Sequence, residues 1–224
     1  MEYIDDIDNK LFHGINLEFY KSEIDDLDIF KKILESKKIM SRNDLKKNNY
    51  NFSDLPYIYE QNDNDTCFAI HPKNKSYINV YDDEDFSKAF YQYIRFNISF
   101  VFSRSILEHG YILQYGGPGE VRIPKSVSLK NNLVAIGCFD EIEYLLEKLK
   151  ISTSKNIMYS SELLNSDDIY KYIMDKKRKT YIIRELLKEH GYDVPIVDPF
   201  FGNIIDGNYN DDILKVKQLK KKLL

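Results

Sequence analysis

Short apolar runs set far apart by polar stretches are what most limits the folds open to this chain. Leu11-Phe12-His13, Cys67 to His71, Ile98 to Phe102, Glu120 to Ile123 and Leu133 to Cys138 are each long enough for a strand and too short for an ordinary helix. Between the first two, Leu27, Phe30, Ile33 and Leu34 recur on one helical face, with Lys31, Lys32, Glu35 and Lys37 turned away. Asp25-Asp26 can cap that helix. Phe86 to Arg95 and the segment from Asp140 to Leu149 predict two more helices, and Ile106 to Gln114 predicts extended chain through a turn at His109-Gly110. One strand, a helix, several strands and a late helix is not regular βαβ alternation. The order predicts an α+β fold with a mostly antiparallel sheet.

Residues 161–224 differ in character. Asp167 to Lys176 and Lys179 to His190 predict two helices, the second ended by Gly191. Tyr192 to Asn203, with two prolines and two phenylalanines, predicts an extended strap. Asp211 to Leu224 predicts a helix whose terminal lysines suit its negative end. The expected organisation is a first domain over 1–160 and a helical extension over 161–224, packed on the same domain. Residues 43–64, rich in Asn, Asp, Lys and Tyr, predict a long irregular segment of the kind that forms lids or binding loops.

Hydrophobic residues make up 43% of the 224, enough for a sizeable core, and the net charge is −4 with both signs well mixed. That balance argues against binding to nucleic acid by bulk charge alone, since counterion release needs clustered Lys and Arg, and leaves a local basic site open. Cys67 and Cys138, in apolar runs, read as buried strand thiols, with neither metal-ligand spacing nor a disulfide framework. The acidic start Met-Glu-Tyr-Ile-Asp-Asp lacks the basic and apolar parts of a signal peptide, and no apolar run is long enough to span a bilayer. A cytoplasmic protein, or one exported without a classical signal, is the expectation.

Two stretches carry chemistry. Tyr115-Gly-Gly-Pro-Gly-Glu120 places three of the nine glycines within four residues, ahead of a carboxylate at the start of a strand. These glycines precede a strand rather than a helix, so they form no phosphate loop. They serve better as a hinge presenting Glu120. The other stretch is Leu11-Phe-His-Gly-Ile, where a histidine closes a strand and Gly14 permits close backbone approach. Taken one at a time, His13 reads better as a structural histidine and Glu120 as an exposed strand-end glutamate.

Together, Leu11-Phe-His-Gly-Ile-Asn, the helix Ile29-Phe-Lys-Lys-Ile-Leu-Glu-Ser-Lys-Lys-Ile-Met-Ser-Arg42 and Gly119-Glu-Val-Arg-Ile-Pro124 resemble the ADP-ribosyltransferase superfamily, and Thr66-Cys-Phe-Ala-Ile-His-Pro72, followed by Lys73 and Lys75, resembles the corresponding strand of its DNA-modifying toxin branch. Ile15 stands where the family has Thr or Ser, and Lys37-Lys38 where Gly is common. The resemblance covers about residues 10–150 and implies a split antiparallel sheet and NAD as substrate. The acceptor it implies is a protein or nucleic acid, in a toxin or phage-conflict setting. It implies further that His13 bonds a ribose of NAD, that the Gly14 backbone holds the carboxamide, and that Glu120 is the catalytic carboxylate. Phe68 is placed to stack on nicotinamide, or equally to fill the core, and Arg42 to meet the pyrophosphate. Arg104 and Arg122 are secondary candidates, and Arg122 shares a strand face with Glu120. No metal is implied. The alternative is a non-catalytic interaction protein that retains the fold. The transferase reading expects His13 and Glu120 to meet around one ligand, and side chains on different faces of the fold would tell against it.

Overall fold

The computed structural model describes residues 4–15, 26–49, 64–71, 98–109, 111–112, 120–138, 166–199 and 202–205. The expected helices at 86–95, 140–149 and 211–224 lie outside these residues, as do the glycines at 116–119. Nine strands are described: β1 Leu11–Gly14, β2 Lys38–Ile39, β3 Asp65–Ile70, β4 Ser99–Phe102, β5 Tyr111–Ile112, β6 Glu120–Pro124, β7 Val127–Ser128, β8 Leu133–Gly137 and β9 Ile196–Val197. The helices are α1 Asp26–Ser36, α2 Arg42–Lys47 and α3 Ser166–Glu189. Short 3-10 turns run over Ile7–Asn9 and Arg104–His109. The α+β class with a mostly antiparallel sheet is as expected. Seven strands form one sheet in the order β5-β6-β3-β1-β4-β8-β9, and only β9 joins it parallel.

The sheet is held together at its middle by very little. β1 pairs with β3 through Leu11↔Ile70 and Phe12↔Ala69 only. On the other side β1 continues along β4 through His13↔Phe100 and Gly14↔Ser99. β3 meanwhile runs along β6 from Ala69↔Glu120 back to Asp65↔Pro124. Beyond Phe12 and Ala69 the sheet therefore parts into two wings. One carries β1, β4, β8 and β9, and the other carries β3, β6 and β5.

Alternation along the paired strands sorts the side chains onto two faces. Leu11, Phe68, Ile70, Phe100, Phe102 and Val121 share one. There Phe30 of α1 stacks on Phe100 with ring centres 5.3 Å apart, and Phe68 meets Phe102 edge-on at 5.1 Å. α1 buries Ile29, Phe30 and Leu34 while Lys31, Lys32 and Glu35 stay exposed, so its apolar stripe roofs this aromatic layer. Phe12, Ala69, Val101 and Ala135 make the other face, covered by Ile7 and Val197 with Ile4 and Ile204 at its margin. At roughly 1.5–3 kcal/mol for each large side chain fully buried, these two layers supply most of the drive to fold.

Several local expectations are corrected. Arg42 does not open a loop: it starts α2, whose N-cap Ser41 accepts from the Asp44 amide at 3.3 Å. Of the irregular segment expected over 43–64, residues 43–47 are thus helical, and 50–63 lie outside the described residues. Ile106 lies in a 3-10 turn rather than a strand, because Ser103 takes the Ile106 and Ser105 amides in a local turn of its own. The two helices expected over 167–190 are one, with neither Gly nor Pro between Lys176 and Lys179 to divide it. Lys38 and Ile39 dock as a two-residue strand on β7.

The domain boundary also moves. One compact unit takes Met1–Phe139 together with Leu186–Ile204, and a second takes Asp140–Glu185 together with Ile205–Leu224. The expected strap from 192 onward thus contributes β9 to the first unit's own sheet. Among the described residues no helix is long and apolar enough to cross a membrane.

Candidate functional site

His13 lies where the wings part. Its half-buried ring is 5.7 Å from that of Phe68, and its Nδ1 donates to the Cys67 carbonyl oxygen at 2.8 Å across the gap. A carbonyl only accepts, so the proton sits on Nδ1 and Nε2 is left as an acceptor. Burial pushes the imidazole below its usual 6.5, against the opposing pull of the Cys67 bond, which keeps the ring neutral near pH 7. A neutral histidine with an acceptor Nε2 suits a ligand hydroxyl.

Gly14 follows at the same opening. The Ile15 amide bonds the Ile98 carbonyl at 3.0 Å, toward β4. Backbone groups in an antiparallel strand alternate in direction, so the Gly14 N–H and C=O point the other way, toward the β3 wing, past the last β1–β3 pair. One donor and one acceptor side by side form the pattern that complements a carboxamide.

Glu120 begins β6 opposite Ala69 and is 6% exposed. Arg122, two residues on along the same face, is 2% exposed and forms an ion pair with it between Nε and Oε1. Burial raises the Glu120 carboxyl above the usual range, and the Arg122 charge and a hydrogen bond from the Cys67 side chain pull the other way. Asp65, also buried, lies on that face of β3 and interacts with the same guanidinium.

The structure therefore brings His13 and Glu120 to one residue without putting them on one face. Through Ala69↔Glu120 and Phe12↔Ala69, Glu120 belongs with Phe12, and His13 belongs with Phe100 on the other side. Side chains on different faces are the arrangement that tells against the transferase reading. What they share is Cys67, whose carbonyl accepts from His13 and whose thiol donates to Glu120. Because the wings separate here and the imidazole spans the gap toward a neighbouring backbone, strand alternation does not by itself set the distance between the two groups.

Phe68 is fully buried between His13 and Phe102, so it fills the core and offers no open face for stacking. Arg42 is half-buried at the head of α2. Arg104 donates from Nη1 to Asn9 Oδ1 at 3.1 Å, on the surface. Cys67 and Asp65 are what sequence reasoning missed, and Arg122 is a secondary candidate that the structure moves to the centre. The signal was available: Asp65-Thr-Cys67 and Glu120-Val-Arg122 are alternating polar positions on two strands that pair. No family model, curated protein or solved structure matches this chain.

Proposed function

We propose that the protein is an NAD-dependent ADP-ribosyltransferase, moving ADP-ribose from NAD to a protein or nucleic-acid acceptor. The observation that supports this most is the parting of the sheet straight after Phe12↔Ala69, with the Gly14 peptide groups and His13 at its mouth. In this reading the Gly14 N–H and C=O hold the carboxamide and His13 Nε2 accepts from a ribose hydroxyl, while Glu120, which strand pairing puts on the opposite face, must reach the ribose through the opening between the wings. Breaking the glycosidic bond leaves positive charge on that sugar while nicotinamide departs neutral. One ionised carboxylate fixed nearby stabilises the charge as it grows.

Incubation with labelled NAD and cell lysate tests the reading, with nicotinamide release and retained label as readouts. Glu120→Gln is expected to lower release by about 10²–10³-fold and leave NAD affinity within a few-fold, and His13→Ala to weaken binding itself. Neither label nor nicotinamide from the unaltered protein would sink the transferase. That result would favour a non-catalytic interaction protein, a reading helped by the burial of Glu120 against Arg122.

A further inference from the structure

Glu120 is the most buried of the groups given a chemical role above, and nothing in the transferase reading explains how a carboxylate so placed stays charged. The guanidinium beside it supplies the answer. Arg122 is ion-paired with Glu120 on its own strand, and Asp65, on the same face of neighbouring β3, feels the same positive charge; all three are almost fully buried. Cys67, opposite Arg122 in the β3–β6 ladder, closes the group by bonding Glu120. On the remaining side the residue paired with Arg122 is Tyr111 of β5. Two acidic groups thus compete for one cation. A buried charge left without its partner is neutralised by a shift in pKa rather than carried bare.

We propose that Arg122 is the positioning residue of Glu120: it holds that carboxylate ionised and fixes it beside Cys67, and Asp65 sets how much of the guanidinium's charge Glu120 receives. This rests on the transferase reading for its catalytic meaning. The hold of Arg122 on Glu120 can be measured without it.

The full chain, labelled with carboxyl-carbon-13 glutamate, is titrated by NMR, and Glu120→Gln identifies the signal of Glu120. Arg122→Met is expected to raise the Glu120 midpoint by about one unit or more, with Arg122→Lys returning most of the way. Asp65→Asn, which leaves the guanidinium to Glu120 alone, is expected to lower the midpoint. It serves as the second arm if Arg122→Met fails to fold. The acid limb of nicotinamide release should move with the midpoint in each variant. A Glu120 midpoint that stays put in both Arg122→Met and Asp65→Asn overturns the proposal, as does Arg122→Lys behaving like Arg122→Met. Shifted midpoints in a protein that releases no nicotinamide keep the hold of Arg122 on Glu120 and remove its catalytic meaning.

Discussion

His13 shows how a residue that looks ambiguous in sequence acquires a defined chemical state. A histidine closing a strand fits a structural role as well as a ligand role. Only the Cys67 carbonyl, 54 positions away in sequence, fixes which nitrogen carries the proton. Its lowered pKa has a consequence for stability. The unfolded chain takes up a proton near 6.5 and the folded chain takes it up only below that. Stability tied to His13 is therefore present above about pH 6.5 and is lost as pH falls through it. Glu120 and Asp65, whose carboxyls are raised by burial, act in the opposite sense, since the folded chain binds their protons first as pH falls. Comparison with His13→Gln cancels those two contributions. Denaturant unfolding between pH 7 and pH 5 should lose stability more steeply in the natural protein than in His13→Gln. Parallel curves would show that the ring does not resist protonation. Phe68 and Arg42 mark the limit of the sequence at this scale. An aromatic in an apolar strand fills a core or faces a ligand according to the neighbouring strands, and Phe102 and His13 decide that here.

At the scale of elements, the sequence was clearest where periodicity was strong and least clear where single residues redirect the chain. α1, β4, β6 and β8 were legible because apolar spacing alone sets them. The 3-10 turn at Arg104–His109 was not, because a Ser103 side chain decides it. The end of α1 at Lys37 shows a single residue redirecting the chain at a cost. α1 stops at Ser36, and Lys37 follows with φ of 58°, a left-handed conformation that glycine adopts freely and lysine does not. Its amide still bonds the Leu34 carbonyl at 3.1 Å and its carbonyl takes the Leu129 amide at 2.9 Å, so the position is held from both sides. Lys37→Gly removes the steric cost and adds some freedom to the unfolded chain. The left-handed conformation costs about 1–2 kcal/mol and the added unfolded-state freedom about 0.4–1 kcal/mol, so the expected net effect is a gain of about 0.5–1 kcal/mol, read as a higher denaturant midpoint with an unchanged slope. A loss of stability would mean that the lysine side chain contributes more than its backbone conformation costs.

At the scale of the whole molecule, the sequence suggested a cut near residue 160, and the sheet argues against it. Composition does change there, which is why the boundary looked natural, but a later segment supplies β9. The Pro195 carbonyl takes the Ile136 amide at 3.0 Å, and the Val197 carbonyl takes that of Cys138 at 2.8 Å. Ile196 and Val197 are fully buried, and Val197 packs in the layer with Phe12, Val101 and Ala135. A chain stopped at 160 would bare that edge of β8 and uncover Ala135 and Val101. Losing two buried branched side chains at roughly 1.5–3 kcal/mol each, with their backbone bonds, approaches the whole stability of an ordinary domain, about 5–15 kcal/mol. The fragment 1–160 should therefore unfold at much lower urea than the full chain, or show no cooperative transition, and its Val101 and Ala135 amides should exchange fast. Val197→Ala in the full chain should cost about 1–3 kcal/mol. A 1–160 fragment matching the full chain in midpoint and slope would mean that the first unit folds without residues 186–204 and that the boundary belongs where composition put it.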